Sequence, residues 1–329
     1  MRVLVTGGCG FIGSHLVRRL VAAGDEVVVL DKLTYSGNPA NLEGVEHTFV
    51  QGDIADPEAV AEAGKGAEAV VNLAAETHVD RSILESSAFV RTDVLGTHVL
   101  LQWAQASGAR FVQVSTDEVY GDIAPGAAST EDDALRPSSP YAASKAGADL
   151  LVLAAVRTYG LDASITRGSN TYGPNQYPEK LVPLFVTNAL DADPLPLYGD
   201  GRQTRDWLHV DDHCAAIEVV LRQGEPGAIY NAGAGEELEN GVIARRIVEL
   251  TGADPTLIRP VEDRPGHDRR YALDASKLQS LGWRPERSMD DGLPETVAWY
   301  RDNRAWWEPL KCGEFRAYYE RQYAARLDG

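Results

Sequence analysis

The sequence has few cysteines and no long apolar run. Only three cysteines, Cys9, Cys214 and Cys312, occur in 329 residues, and they form neither a CxxC pair nor the dense spacing of a disulfide framework. We therefore expect a reducing, cytoplasmic environment. No apolar stretch approaches the roughly 20 residues of a membrane-spanning helix. The first residues lead at once into a glycine-rich loop, so neither a signal peptide nor membrane association is expected.

Positive charge is also scarce, with 31 lysines and arginines against 49 acidic residues and a formal net charge of -18. This balance opposes non-specific binding to nucleic acid, so no nucleic-acid partner is expected. An anionic ligand would have to be held by a few local cations. The seven histidines, among them His78, His209, His213 and His267, form no close cluster in the sequence and give no reason to expect a metal. The hydrophobic fraction of 44% is that of a globular chain with an ample core.

The N-terminal residues have the pattern of a dinucleotide-binding fold. A short apolar strand precedes Thr6-Gly7-Gly8-Cys9-Gly10-Phe11-Ile12-Gly13, a helical pattern runs to Ala23, and a second apolar run, Val27 to Leu30, ends at Asp31. In this context Gly7 and Gly10 allow close approach to a pyrophosphate, and Gly13 allows close packing of the helix. A carboxylate at Asp31 would accept hydrogen bonds from ribose hydroxyls, which favours NAD over NADP. Lys32 could soften that preference.

Strand and helix patterns alternate through the first half of the chain. Strand-like runs follow at Val45 to Val50, Ala69 to Leu73 and Phe111 to Ser115, with helical patterns between them, including Ser87 to Ser107. This alternation predicts an α/β fold with a doubly wound parallel Rossmann sheet, whose ligands lie beyond the carboxyl ends of the strands. Asp53 and Ile54 follow the third strand, and Ala74 and Ala75 follow the fourth, so all four are expected at that edge.

The second half of the chain is richer in turn residues. Helical patterns recur at Lys180 to Leu190, Val210 to Arg222 and Leu238 to Leu250, without a repeat or a low-complexity linker. We predict a Rossmann domain over residues 1–168 and a smaller, mainly substrate-binding domain over residues 169–329. Later segments of the chain are expected to return to the first domain.

Two further motifs carry proton chemistry. Tyr141 and Lys145 share one face of a predicted helix, where the ammonium could lower the pKa of the phenol and favour a phenolate base. Thr116 supplies a hydroxyl at the end of the preceding strand. Asp117 and Glu118 follow it directly, and a hydride-transfer enzyme has no need of two additional carboxyl groups. Taken alone, these two carboxylates favour the interpretation that they cap a loop or helix.

Taken together, these motifs resemble the extended short-chain dehydrogenase/reductase superfamily and, within it, the dTDP-glucose 4,6-dehydratases. The resemblance runs from Arg2 to about Leu310. It rests on the segments TGGCGFIGSH, DKLTYSGN, LAAETHVDRS, STDEVYG, YAASK, SNTYGPNQYPEKLVPL, YGDGRQTRDWLHVDD and RPGHDRRYALD.

The resemblance implies NAD as cofactor and a nucleotide sugar as substrate, with dTDP-glucose favoured. Tyr141 would take the O4 proton, Glu118 the C5 proton, and a protonated Asp117 would release water at C6. Alternatives are a UDP-glucose 4,6-dehydratase, or a decarboxylase or epimerase in which Asp117 would lack a task. A non-catalytic NAD-binding sensor is a further alternative, although it would not need Thr116, Tyr141 and Lys145.

The resemblance also implies the remaining site residues and a homodimer formed by the helices Ser87 to Ser107 and Ser138 to Tyr159. Gly168, Thr171 and Asn175 depart from the usual family residues. The implied cofactor site comprises Gly7, Gly10, Phe11, Ile12, Gly13, Asp31, Lys32, Leu33, Thr34, Asp53, Ile54, Leu73, Ala74, Ala75, Thr92, Tyr141, Lys145 and Thr171. The implied substrate site comprises Thr77, Thr116, Asn170, Lys180, Leu181, Pro196, Tyr198, Arg205, Asn240, Arg264 and His267.

Overall fold

The computed structural model describes residues 1–327 of the chain. Their strands are Arg2–Thr6 (β1), Glu26–Asp31 (β2), Thr48–Gln51 (β3), Ala69–Asn72 (β4), Arg110–Thr116 (β5), Ala163–Gly168 (β6), Asn170–Tyr172 (β7), Leu195–Tyr198 (β8), Thr204–His209 (β9), Ile229–Ala232 (β10), Glu237–Glu239 (β11) and Ile258–Val261 (β12).

The α-helices of the described residues are Phe11–Ala22 (α1), Pro57–Ala63 (α2), Val79–Leu84 (α3), Ser87–Phe89 (α4), Thr97–Ser107 (α5), Pro140–Tyr159 (α6), Leu181–Asp191 (α7), Val210–Gln223 (α8), Asn240–Thr251 (α9), Ser276–Ser280 (α10), Met289–Asp302 (α11), Arg304–Trp307 (α12) and Glu314–Leu327 (α13). A π-helical turn, Val90–Gly96, joins α4 to α5, and a 3₁₀ turn, Asp117–Tyr120, follows β5. Within residues 1–327, no helix is both long and apolar enough to cross a bilayer.

The central sheet has seven parallel strands in the order β3, β2, β1, β4, β5, β6, β10. Its strands are near-continuous apolar runs because helices cover both faces. In β1, Val3 and Val5 pack with α1 and α8 on one face, whereas Leu4 packs with α5 and α6 on the other. The predicted α/β Rossmann class is confirmed.

The predicted elements match the structure closely, with three main differences. The third strand begins at Thr48, not at Val45, and the helical pattern Ser87 to Ser107 is interrupted by the π-helical turn. The helix predicted from Leu238 begins at Asn240, since Leu238 lies in β11. The chain also returns to the sheet after residue 168, because β10 pairs with β6 and α8 packs on the face covered by α1.

A second apolar core lies in the C-terminal half. There β7 pairs with β9 in parallel, β9 with β11 antiparallel, and β8 with β12 in parallel. Side chains from α7, α9 and α11 pack in this core around the fully buried Trp307. Tyr172 of β7, Leu195 and Leu197 of β8, and Trp207 of β9 are buried in this core, so it holds these strands in place.

A buried ion pair joins α6 to the sheet. Arg167 on β6 donates from Nε to Asp149 on α6 at 2.9 Å, and the two residues are 1% and 0% exposed. Arg167 also donates to the hydroxyl of Tyr120 at 2.8 Å, and that hydroxyl donates to Asn231. The helix that carries Tyr141 and Lys145 is thereby held to both β6 and the turn after β5.

We expect Asp149→Asn to lower the free energy of unfolding by about 3–5 kcal/mol, because it leaves the Arg167 guanidinium buried without a counter-charge. Urea unfolding would measure the change. Glu320→Gln is the matched control, since it removes an exposed partner of Arg316 at 3.1 Å and should cost less than about 1 kcal/mol. Equal losses in the two variants would contradict the structural role assigned to the buried pair.

Candidate active site

The glycine loop between β1 and α1 is packed too tightly for side chains. Gly7 has φ +66°, and a Cβ there would lie 2.8 Å from the backbone nitrogen of Ala74. A Cβ on Gly13 would lie 2.2 Å from the carbonyl oxygen of Gly7. Gly10 caps α1 without a side-chain hydrogen bond, so the first N–H groups of the helix face the loop. This cradle suits a pyrophosphate.

Asp31 ends β2 and organises the loop that follows it. Its two carboxylate oxygens accept hydrogen bonds from the backbone nitrogens of Cys9 at 2.9 Å and Leu33 at 2.8 Å. Burial raises the pKa of this carboxyl, and the two hydrogen bonds oppose the rise. Lys32 pairs with Asp53 at 2.8 Å, so its charge is directed to the next strand end and not to Asp31.

A cleft of about 320 Å³ follows the carboxyl edge of the sheet. Of the implied cofactor residues, Leu33 alone does not line it: its φ is +57° and its side chain packs in the core beside α1. The role of Leu33 in cofactor binding therefore stays a prediction. The lining includes Gly7, Gly10, Phe11, Ile12, Gly13, Asp31, Lys32, Thr34, Asp53, Ile54, Leu73, Ala74, Ala75, Thr92, Tyr141, Lys145 and Thr171.

The two adjacent carboxyl groups lie in the 3₁₀ turn after β5. The hydroxyl of Thr116 donates to Oδ1 of Asp117 at 3.1 Å and accepts from the backbone nitrogen of Glu118 at 3.3 Å. Asp117 is 3% exposed, and its Oδ2 has no hydrogen-bond partner among the described residues. Thr116 thus fixes one oxygen of Asp117 and leaves the other available to a ligand.

Their surroundings separate the two carboxyl groups chemically. Burial raises the pKa of Asp117 well above its usual range, and the charge of Glu118 raises it further. Burial also raises the pKa of Glu118, but Arg264, Lys180 and Arg205 oppose that rise. Asp117 is therefore the better proton donor of the pair, and Glu118 the better base.

Tyr141 and Lys145 lie in the first turns of α6, whose N-terminus is capped by Ser139. Burial raises the pKa of Tyr141 well above 10, and the charges of Glu118 and Asp93 add to the rise. The Lys145 ammonium donates to the carbonyl oxygen of Val114 at 2.8 Å, which fixes its position and leaves its positive charge in place. The lysine is one helical turn from the tyrosine but is held by the backbone of β5.

A second cavity adjoins the cleft and shares several lining residues with it, Glu118, Asn170 and Lys180 among them. Thr77 and Thr116 line the cleft, and the other implied substrate residues line the second cavity. These are Asn170, Lys180, Leu181, Pro196, Tyr198, Arg205, Asn240, Arg264 and His267. The structure thus brings all the implied substrate residues to one continuous space, with the carboxyl pair at the junction.

The three cations of the implied substrate site, Lys180, Arg205 and Arg264, are each held by groups of the protein. Lys180 donates to the carbonyl oxygen of Thr77, and Arg205 donates to the carbonyl oxygens of Thr204 at 2.8 Å and Asp268 at 3.0 Å. Arg264 pairs with Asp80 at 2.8 Å. The hydrogen-bond partners of Lys180 and Arg205 are thus neutral carbonyl oxygens, while burial lowers the pKa of both cations and the charge of Glu118 opposes that lowering.

Comparison with known proteins identifies this arrangement. A family profile described as GDP-mannose 4,6 dehydratase matches residues 4–296. The chain is 53% identical over 323 residues to a dTDP-glucose 4,6-dehydratase of Streptomyces niveus, covering 94% of this chain and 96% of the relative. It is 43% identical over 360 residues to dTDP-glucose 4,6-dehydratase 1 of Escherichia coli, covering 99% and 100%. The chain belongs to the dTDP-glucose 4,6-dehydratase family.

Solved structures agree with this family assignment. The dTDP-glucose 4,6-dehydratase DesIV of Streptomyces venezuelae, crystallised with NAD and TYD bound, has a TM-score of 0.92 and 55% identity, covering 94% of this chain and 100% of that one. A UDP-glucose 4-epimerase of Thermus thermophilus, in complex with NAD, has a TM-score of 0.87 and 35% identity, covering 92% and 100%. The fold is therefore common to dehydratases and epimerases, and the reaction must be argued from the site.

Several residues that line the cleft were not predicted from the sequence. Ser36 and Gly37 follow Asp31 within the segment DKLTYSGN, and Glu76 follows Ala75, so their nearness to motif residues could have indicated them. Trp207 and His213 gave no usable signal, since their positions depend on how β9 and α8 pack. The missed lining residues also include Gln176, Tyr177 and Glu179.

The departures from the family pattern are local and have physical consequences. A Cβ at Gly168 would lie 2.4 Å from the ring of His213, so a larger residue there would require that ring to move. Nδ1 of His213 lies 2.7 Å from the hydroxyl of Thr171, which also lines the cleft. Asn175 has φ +64°, a conformation that asparagine adopts more readily than most residues.

We expect Gly13→Ala to weaken NAD binding at least about tenfold, because the added Cβ would push the Gly7 carbonyl out of the phosphate cradle. Calorimetric titration with NAD would measure the dissociation constant. Gly252→Ala, at the end of α9, is the control: its Cβ would meet nothing within 4 Å, and strain from its positive φ, which Gly13 does not have, should leave NAD binding unchanged. Unchanged NAD affinity in Gly13→Ala would contradict the assigned role of the loop.

Proposed function

We propose that the protein is an NAD-dependent dTDP-glucose 4,6-dehydratase, which converts dTDP-glucose to dTDP-4-keto-6-deoxyglucose and water. The observation that carries this proposal is the difference between the surroundings of Asp117 and Glu118, where the two cavities meet. Burial and the charge of Glu118 raise the pKa of Asp117 well above its usual range, whereas nearby cations oppose the rise at Glu118. Expulsion of water needs such an acid and such a base, whereas C4 epimerisation needs neither.

The cleft fits NAD by its own geometry. The glycine cradle has no room for side chains, and the N-terminus of α1 faces it, as a pyrophosphate requires. The carboxylate of Asp31 at the end of β2 favours an unphosphorylated ribose. Bound NAD would supply the redox chemistry, taking a hydride from C4 of the sugar and later returning it to C6.

The side chains of the protein move the protons. Tyr141 takes the proton of O4, with Lys145 one helical turn away to support the phenolate by its charge. The resulting C4 ketone acidifies C5, and Glu118 removes the C5 proton. Asp117 donates its proton to O6 as the C6–O6 bond breaks, so the oxygen leaves as water. Glu118 then returns its proton to C5, and a proton passed from Tyr141 to Asp117 restores the resting enzyme.

The second cavity would hold the nucleotide and its diphosphate. Lys180, Arg205 and Arg264 are the cations that line it in a chain with a net charge of -18. Guanidinium groups can grip phosphate oxygens bidentately. The choice of thymine over uracil is supported by three dTDP-glucose 4,6-dehydratases that are 53% identical to this chain over 94% of its length. In a decarboxylase or an epimerase, the unpartnered oxygen of Asp117 would have no task.

We further propose that the enzyme is a homodimer. The helices α5 and α6, with the π-helical turn before α5, pack together and expose large apolar side chains. Val90 is 56% exposed, Leu95 43%, Leu150 57% and Tyr159 63%. A partner subunit covering these helices would remove that apolar surface from water.

The compartment and the domain division are also proposals. The three cysteines are free, with Cys9 and Cys214 buried, which suits a reducing cytoplasm. Residues 1–168 would form the NAD-binding unit together with the returning α8 and β10. The remainder of residues 169–329 would form the nucleotide-sugar unit.

The activity has a direct test. Purified protein incubated with dTDP-glucose and NAD should give a product lighter by one water, with deuterium placed at C4 recovered at C6 and no net NADH. Mass spectrometry and NMR would follow mass and label, with UDP-glucose in a parallel incubation. Intact dTDP-glucose would refute the proposal, and faster dehydration of UDP-glucose would refute the choice of nucleotide.

Glu118→Gln tests the division of tasks within the carboxyl pair. The variant can still oxidise C4 through Tyr141 but cannot remove the C5 proton, so turnover should fall by about 10²- to 10⁴-fold. Enzyme-bound NADH should accumulate and be visible by absorbance on rapid mixing with substrate. Glu320→Gln, at an exposed carboxylate that lines neither cavity, serves as the matched control. Normal turnover in Glu118→Gln would remove Glu118 from the mechanism.

A further inference from the structure

Asp80, at the start of α3, is a buried carboxylate to which four donors converge. It is 3% exposed and follows His78, whose side chain contacts Tyr318. One oxygen accepts from Arg264 at 2.8 Å, and the other accepts from the hydroxyl of Tyr198 at 2.7 Å. No step of the proposed reaction uses this carboxylate. Asp80 and two of its partners, Arg264 and Tyr198, line the second cavity.

The donors come from parts of the chain that are distant in sequence. Arg264 follows β12, Tyr198 ends β8, and the C-terminal helix α13 supplies Gln322 at 3.2 Å and the hydroxyl of Tyr318 at 3.4 Å. Gln322 also donates to the hydroxyl of Tyr198 at 2.7 Å. Asp80 therefore joins three elements around one wall of the cavity.

The guanidinium group of Arg264 has several N–H donors, and Asp80 accepts from only one of its nitrogens. The contact is made by Nη1, while Nε is buried without a partner among the described residues. A long side chain with an unfixed guanidinium would lose conformational entropy on binding phosphate. An ion pair formed in advance removes much of that loss, because the guanidinium plane is already fixed when the ligand arrives.

The charges support this interpretation. Burial opposes ionisation of Asp80, but His78 and Arg264 outweigh it and hold the pKa of the carboxyl below its usual range. A buried anion next to a diphosphate site would repel the ligand unless a neighbouring cation neutralised its charge. Arg264 does so through its ion pair with Asp80.

We propose that Asp80 is a positioning residue for substrate binding, which holds Arg264 in the orientation that receives the diphosphate of the nucleotide sugar. The inference rests on the proposed function, since it takes the second cavity as the nucleotide-diphosphate site. Asp80 itself need not touch the substrate. Its contribution should appear in affinity for the nucleotide and not in the rate of the chemical steps.

The decisive variant is Asp80→Asn, which keeps the size of the side chain and an oxygen for Tyr198 but removes the charge that faces Arg264. We expect the Kd for dTDP, measured by calorimetry, and the KM for dTDP-glucose to rise at least about tenfold. The kcat at saturating substrate and the Kd for NAD should change less than about twofold, a division that general destabilisation would not produce. Asp290→Asn, at an exposed carboxylate paired with Arg246, is the matched control.

A double-variant cycle tests whether Asp80 acts through Arg264. In an Arg264→Gln background, Asp80→Asn should raise the Kd for dTDP less than about twofold, because the side chain to be positioned is gone. A full tenfold rise in that background, or wild-type affinity in Asp80→Asn alone, would overturn the proposal.

Gln322→Leu covers the case in which Asp80→Asn does not fold. Gln322 donates to Asp80 but does not line the cavity, so its loss should raise the Kd for dTDP about two- to threefold with kcat unchanged. Wild-type affinity in that folded variant would count against the proposal. A wild-type protein that turns over dTDP-glucose while these variants bind normally would refute this inference alone. A wild-type protein that neither binds nor converts the nucleotide sugar would refute the proposed function as well.

Discussion

Desolvation of one carboxyl group at the end of β5 is the constraint on which the site depends. Asp117 is held in a turn where Thr116 bonds one of its oxygens and where water has almost no access. Water would let both members of the pair ionise. Without it, burial and the charge on Glu118 both raise the pKa of Asp117, so two similar side chains differ in their affinity for a proton.

That constraint requires a rigid frame, which the sheet and α6 provide. The strand β5 lies between β4 and β6 in the parallel sheet, and the buried pair of Arg167 and Asp149 holds α6 against β6. Tyr141 and Thr116 therefore meet at the same edge although they come from different elements. A loosely held helix would let water reach the carboxyl pair and would remove the difference between its two members.

The local parts of this design could be predicted from the sequence, because they depend on short-range patterns. Gly7, Gly13 and Asp31 were identified by spacing, and the structure places them at a turn, a close contact and a strand end. The direction of the Leu33 side chain could not be predicted, since it is decided by a positive φ and by the core beside α1. The partner of Lys145 could not be predicted either, because the Val114 carbonyl that accepts its hydrogen bond lies on β5.

Long-range features could not be predicted from the sequence, because they depend on contacts between distant parts of the chain. The pairing of β10 with β6 could be expected only as a return of unspecified segments, because strand order is set by packing between distant parts of the chain. The charges follow this rule as well. In the proposed function an acidic chain has to hold a diphosphate with few cations, and Lys180 and Arg205 each bond to neutral carbonyl oxygens. Arg264 instead faces the carboxylate of Asp80, so the proposed diphosphate site would gain a fixed geometry at that position in exchange for part of its positive potential.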